Sequence, residues 1–167
     1  MSVHLPAPDQ SLLARRHAVV TALREIVPGE GVISGEREMR PFESDGLTAY
    51  RQLPMVVVLP DTTEQVSRVL AFCHRRGVKV VPRGAGTSLS GGALPLSDGV
   101  LLGMAKFNRI REIDFVNRTA TVEPGVTNLA VTQAVQHAGF YYAPDPSSQI
   151  ACTIGGNVAE NSGGCIV

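Results

Sequence analysis

Apolar residues follow two rhythms along this chain, and the changes between them give the order of elements. Leu12, Leu13, Val19, Val20, Leu23, Ile26 and Val27 recur at near-helical spacing behind Asp9 and Ser11, either of which can cap a helix; Pro28-Gly29 ends the run. Residues 31–54 mix polarity with turn formers such as Ser44-Asp45-Gly46 and predict irregular backbone. Met55-Val56-Val57-Val58-Leu59, closed by Pro60, has the continuous apolar character of a buried strand. Thr62 with Gln65 makes a capping box. The helix it opens carries Val66, Val69, Leu70 and Cys73 inward and stops at Gly77. Residues 78–81 form the next strand, and strand, helix, strand in this order predict a parallel βαβ unit that leads into a glycine-rich loop.

Beyond that loop the order becomes mixed. Val100-Leu101-Leu102 reads as a strand, and 113–115 with 119–122 as a hairpin around Asn117-Arg118. Pro124-Gly125 turns the chain into a helix that Thr127 would cap, with Ala130, Ala134, Val135 and Ala138 on one side and Gly139 as its stop. After Phe140-Tyr141-Tyr142 comes a second loop-rich region, 144–148 and then 153–164. No internal repeat or low-complexity tail is present. The fold class expected is α+β.

Charge narrows the partners. Lys plus Arg equals Asp plus Glu at 15 each, so no long-range field gathers nucleic acid or an anionic membrane, and Arg15-Arg16 and Arg75-Arg76 read as solvated helix faces. A hydrophobic fraction of 44% and a mean hydropathy of +0.10 argue against disorder. No apolar run approaches the ~18 residues of a membrane span. Residues 1–10 hold two prolines and no signal pattern, so a cytoplasmic protein is expected. At 167 residues, one compact unit is the first expectation from length. Cys73, Cys152 and Cys165 lack metal-ligand spacing and read as reduced structural thiols; His4, His17, His74 and His137 are scattered, and none is assigned to catalysis or metal.

The candidate chemistry lies in two glycine clusters. In Pro82-Arg83-Gly84-Ala85-Gly86-Thr87-Ser88-Leu89-Ser90-Gly91-Gly92-Ala93, small residues let successive amides converge on one point, and Arg83 adds positive charge at the mouth of the loop. This is how a chain holds phosphate. A tight connection between strands is the plainer reading of this cluster taken alone. A dinucleotide fingerprint would need a glycine at Leu89 and a helix directly after it; a nucleoside-triphosphatase loop would need Lys and Ser or Thr where Gly92 and Ala93 stand. Neither motif is present. The second cluster, Gly155-Gly156-Asn157 through Asn161, supplies close backbone approach and amide groups suited to a flat heterocycle, while Thr87, Ser88 and Ser148 offer hydroxyls. Turn capping is the plainer role for either asparagine.

These segments, with Val122-Glu123-Pro124-Gly125-Val126, Pro144-Asp145-Pro146-Ser147-Ser148 and, upstream, Asp45-Gly46-Leu47-Thr48-Ala49-Tyr50, resemble the FAD-binding domain of the vanillyl-alcohol oxidase and p-cresol methylhydroxylase type. Within it the likeness is greatest to the group of the FAD-linked subunit of bacterial glycolate oxidase and the D-lactate dehydrogenases. The resemblance implies a mixed α+β flavin domain in two lobes with FAD between them. Residues 1–50 would form an N-terminal helix and irregular segment, and 51–167 the FAD-binding domain. The amides of Gly84, Ala85, Gly86, Thr87 and Ser88 would bind the pyrophosphate, with Arg83 offsetting its charge. Pro144, Asp145, Ser148, Gly155, Gly156, Asn157 and Asn161 would approach the ribityl chain, the adenosine or the flavin. Some relatives link the flavin to a histidine where this chain has Thr87, so a dissociable, non-covalent FAD is expected.

The family's enzymes are much longer, so the second lobe is expected to be incomplete, the substrate domain to be missing, and exposed apolar residues such as Ile154 and Val158 to lower solubility. The full enzyme implied moves a hydride from a small 2-hydroxy acid to FAD and passes electrons on through partner subunits. This stretch, with no evident base for a hydroxyl and no clamp for a carboxylate, is expected not to turn over by itself. The other readings are the cofactor domain of another FAD-linked oxidase, or a non-catalytic remnant serving as an interaction surface.

Overall fold

The computed structural model describes residues 7–164. They divide into two compact units, in place of the single one that length suggests, and each is assembled from separate stretches. The first holds 7–44, 50–81 and 94–102; the second holds 45–49, 82–93 and 103–164. The expectations for His4 and Cys165 lie outside the described residues.

The first unit is built on a four-stranded sheet, β1 (Val32–Ile33), β2 (Val56–Val58), β3 (Lys79–Arg83) and β4 (Gly99–Gly103), in the order β1-β2-β4-β3. The last residues of β3 and β4 already belong to the second unit. β2 and β4 run parallel with Val57 opposite Leu101, and all their side chains are buried, which is why both read as unbroken apolar runs. The two strands of the expected βαβ unit lie in one sheet, with β4 between them. β3 carries exposed Lys79 and Pro82, and a proline without an N–H suits an edge, whereas β4 is apolar enough for the centre.

The first helix is two, α1 (Gln10–Ala14) and α2 (Arg16–Ile26), broken at Arg15. Asp9 caps α1 by accepting from the Ser11 and Leu12 amides at 2.8 and 3.3 Å. Arg16 is no solvated residue: its guanidinium donates to the Met55 carbonyl at 2.9 Å and to that of Ser34. Residues 31–54, expected to be irregular, hold β1, the short α3 (Glu36–Met39) and a 3-10 turn (Arg40–Phe42); Met39 joins Val57 and Leu101 in the core. α4 (Thr63–Arg76) starts as predicted, with Thr62 Oγ1 accepting from the Gln65 amide at 3.2 Å, and ends at left-handed Gly77. Gln65 Oε1 accepts from Asp61 at 2.7 Å. α4 buries Val69 and Cys73, but Leu70 is 45% exposed, since it projects about 100° round the helix from Val69.

In the second unit, β5 (Ile110–Asp114) and β6 (Thr119–Val122) form the expected antiparallel hairpin. Its turn places Arg118 at φ 55°, with the Asp114 carboxylate accepting from the Val116 and Asn117 amides at 2.9 Å each. α5 (Asn128–Val135) is prolonged by a 3-10 turn (Gln136–Ala138) to Gly139. Thr127 precedes α5 without a side-chain capping bond; instead the Asn128 and Leu129 amides donate to the Cys152 and Gln149 carbonyls, each at 3.0 Å. The second glycine cluster is not a loop, contrary to expectation. Residues 154–160 form α6 (Ile154–Glu160), because its first amides find carbonyl partners outside the helix. Among the described residues no helix is long and apolar enough to cross a membrane, and no group of His, Cys, Asp and Glu is placed to hold a metal.

Candidate functional site

Within the second unit, the glycine loop 82–93 and α6 line one cavity of about 910 Å3, within the range of small-molecule and cofactor sites. The loop is shaped from below. Arg83 is buried, at 8% exposure, rather than standing at the loop's mouth. Its guanidinium packs against Gly86, where any Cβ would collide with it, and its Nη1 donates to the Ala93 carbonyl at 3.3 Å. Gly86 turns the chain at φ 74°, a conformation that disfavours a side chain. Burial pushes the Arg83 pKa down while the charge of Asp45 opposes that shift, so the positive charge under the loop is offset from behind. Ser88 is buried, and its hydroxyl accepts from the Ser90 amide at 3.2 Å, which tightens the turn at the loop's far side.

The opposite wall is fixed by backbone. The Ile154 and Gly155 amides donate to the Val126 and Pro124 carbonyls at 2.9 and 2.8 Å, and Thr127 bridges Thr153. Pro124 itself is steadied by its neighbour Glu123. That carboxylate is buried, accepts from the Arg109 amide at 3.0 Å and from Arg111 Nη2 at 2.9 Å, and pairs with Arg109 Nη2 at 3.2 Å. The Arg109 amide and then the Arg111 side chain hold the Glu123 pKa down at about 2. The loop and α6 meet closely: a Cβ on Gly84 would strike Thr153 Oγ1, and one on Gly92 would lie 3.0 Å from Glu160 Oε1.

Two polar atoms in this wall lack hydrogen-bond partners among the described residues, Thr153 Oγ1 and Asn157 Nδ2. Their residues are 6% and 8% exposed. Buried polar groups are nearly always satisfied, so these two atoms carry an uncompensated desolvation cost within the wall.

Of the residues singled out from sequence, Arg83, Gly84, Ala85, Gly86, Thr87, Ser88, Ser148, Gly155, Gly156 and Asn157 come together around the cavity. Pro144, Asp145 and Asn161 do not line it. Asp145 donates its amide to Gly163 at 3.0 Å, which ties the segment before Ser148 to the segment after α6, and Asn161 ends α6 at φ 54°. Sequence reasoning missed Thr153, Cys152 and Ser162 as wall residues. Thr153 and Asn157 stand four apart, the signal of one helix face. That signal is visible only once 154–160 is read as a helix.

A family model described as an FAD binding domain matches residues 54–166. The chain is 61% identical over 149 residues to the glycolate oxidase subunit GlcD of Escherichia coli, covering 89% of this chain and 30% of that protein. It is 46% identical over 123 residues to the subunit of the same name in Bacillus subtilis, covering 74% and 26%. The chain thus spans about 30% or less of the length of these curated relatives. Among solved structures, p-cresol methylhydroxylase matches with a TM-score of 0.72 at 23% identity, over 91% of this chain and 30% of that one. The 4-ethylphenol oxidase of Gulosibacter chungangensis matches at 0.74 and 25%, over 92% and 30%. The paired glycine segments and the family match agree: the chain belongs to the FAD binding domain family, with a mixed α+β fold like that of p-cresol methylhydroxylase.

Proposed function

We propose that this chain is the cofactor-holding part of an FAD-dependent oxidoreductase that acts on a small 2-hydroxy acid of the glycolate or D-lactate kind. The observation that carries the reading is the cavity lined on one side by the glycine loop 82–93 and on the other by Thr153, Gly155, Gly156 and Asn157. The 61% identity to a glycolate oxidase subunit supports the substrate class.

In this reading the amides of Gly84 to Ser88 receive the diphosphate, which the buried Arg83 charge favours from beneath. Thr153, Asn157 and Ser148 hydrogen-bond the sugar or ring portions, and Gly155 and Gly156 leave room for a flat group. Pro144, Asp145 and Asn161 serve from behind, by fixing the ends of the Ser148 segment and of α6. These residues would hold FAD, which would supply the two-electron redox chemistry for oxidising the hydroxyl-bearing carbon. The chain's own residues bind and orient; none is assigned the proton of the substrate hydroxyl, and turnover is assigned to the longer enzyme with its electron-accepting partner subunits. Thr87 stands where some relatives carry the linking histidine, and a hydroxyl gives no such link, so the FAD is dissociable. The buried free thiols of Cys73 and Cys152 suit a cytoplasmic location.

Titration of the purified 167-residue chain with FAD, followed by flavin fluorescence, tests the reading. Saturable binding that excess ADP weakens and riboflavin does not is expected, because the loop grips the diphosphate. Absence of saturable FAD binding overturns it. Acid precipitation of the complex is expected to release all flavin into the supernatant; flavin retained in the pellet overturns the non-covalent assignment.

A further inference from the structure

We propose that Glu160 is a specificity-determining residue of the cavity: its carboxylate, beside Gly92 at the far end of the glycine loop, accepts hydrogen bonds from sugar hydroxyls of the nucleotide and keeps phosphate away from that end. The proposal rests on the reading of this cavity as the FAD site and adds which end of the loop the sugar takes.

Among the residues that line the cavity, only Arg83 and Glu160 carry charge, and both belong to the second unit. Arg83 is buried and turns its guanidinium on the loop itself, against Gly86 and on the Ala93 carbonyl. Glu160, the last residue of α6, is exposed and makes no hydrogen bond or ion pair with any described residue. Gly92 leaves the opening that this carboxylate faces. A Cβ there would lie 3.0 Å from Glu160 Oε1 and 3.7 Å from Ser88 Oγ, so one oxygen from α6 and one from the loop border the same space. An ionised carboxylate only accepts hydrogen bonds. Phosphate oxygens carry the same sign of charge and offer it no donor, so a diphosphate is repelled from Gly92 and finds its donors in the amides of Gly84 to Ser88. A sugar hydroxyl suits the opening, because it can donate to Glu160 and accept from the Ser88 hydroxyl. Hydrogen bonds to an ionised acceptor are roughly twice as strong as neutral ones, which makes this contact one that affinity can read. FAD carries hydroxyls on both sides of its diphosphate, on the ribose and on the ribityl chain, and both present the same chemistry to Glu160.

The test compares the 167-residue chain with its Glu160→Ala variant. Affinities for FAD, ADP and FMN are measured by calorimetry, in EDTA and again with Mg2+, and inorganic pyrophosphate is read from the rise in thermal midpoint it causes at millimolar concentration. Glu160→Ala is expected to bind FAD about fivefold or more weakly. Pyrophosphate, which has no sugar hydroxyl and is relieved of the repulsion, is expected to raise the variant's midpoint as much as the parent's or more. A loss for ADP assigns the carboxylate to the ribose and a loss for FMN to the ribityl chain; either supports the proposal. Unchanged FAD affinity overturns it, and so does a pyrophosphate effect that falls along with FAD, which would mean general damage to the loop. A parent that binds FAD only with Mg2+ also overturns it, since the carboxylate then meets the diphosphate through a metal ion. Because Glu160 has no partner among the described residues, the variant's midpoint without ligand is expected to match the parent's. Gly92→Ala, which fills the opening and keeps the charge, is expected to weaken FAD as well; parental affinity in that variant overturns the placement of the hydroxyl. A parent chain that binds no FAD in either buffer overturns the cofactor reading, and the proposal with it.

Discussion

The Gly155 amide donates to the Pro124 carbonyl at 2.8 Å, and a Cβ on Gly155 would stand 2.7 Å from Pro124 Cβ. α6 is thus held against the segment after β6 at a spacing only glycine permits, and Asn157 lines the cavity from there. Gly155→Ala is expected to overpack this contact and destabilise the chain by about 1–3 kcal/mol. Thermal unfolding reads the loss, and FAD titration should show weaker binding because the wall shifts. Unchanged midpoint and affinity would remove this contact from the account of the site.

Gly86 combines a left-handed φ of 74° with the guanidinium of Arg83 against its Cα. Gly139 has φ 79° with no atom near an added Cβ. Gly139→Ala is therefore expected to cost about 1–2 kcal/mol of backbone strain and leave FAD affinity alone. Gly86→Ala should cost more and abolish binding. The comparison separates strain from contact, and equal effects of the two substitutions would argue against the Arg83 strut.

Glu123 has its pKa held down at about 2 from an ordinary 4.5, first by the Arg109 amide and next by the Arg111 side chain. A carboxyl depressed on folding stabilises the native state above its unfolded value and loses that contribution as pH falls. The chain should therefore lose stability progressively between about pH 4.5 and pH 2. Glu123→Gln should be less stable at pH 7 and show a flatter pH profile over that window. A variant whose stability falls in parallel with the parent would show that Glu123 is not the titrating group.

Burial raises the Cys73 thiol to a pKa of about 11. At pH 8 it should resist alkylation in the native chain and react once denaturant opens the helix that carries it. Peptide mapping after timed alkylation checks this; rapid native labelling of Cys73 would contradict its place in the core.

Val158 projects from α6 with 75% of its surface exposed. Val158→Lys is expected to raise soluble yield and leave the thermal midpoint unchanged, since no packing is lost. Sedimentation velocity at increasing concentration should show less self-association. No change in either would place the association elsewhere.

The glycine loop was legible because a left-handed turn and a close approach leave glycine in the sequence itself, as Gly86 and Gly84 do. The ends of α4 were legible for a similar reason, in Thr62 and Gly77. α6 was not: Gly155, Gly156 and Asn157 are weak helix formers, and carbonyls contributed by Val126 and Pro124 override that preference. With the helix unread, Thr153 and Asn157 could not be seen to share a face. The central place of β4 depends on which strand is covered on both sides, a tertiary fact.

The backbone passes between the two compact units five times, at 44/45, 49/50, 81/82, 93/94 and 102/103. Neither half is therefore a contiguous stretch that a protease could release or a gene fusion could transplant. Expressing either unit therefore means expressing the stretches of the other that lie between its pieces.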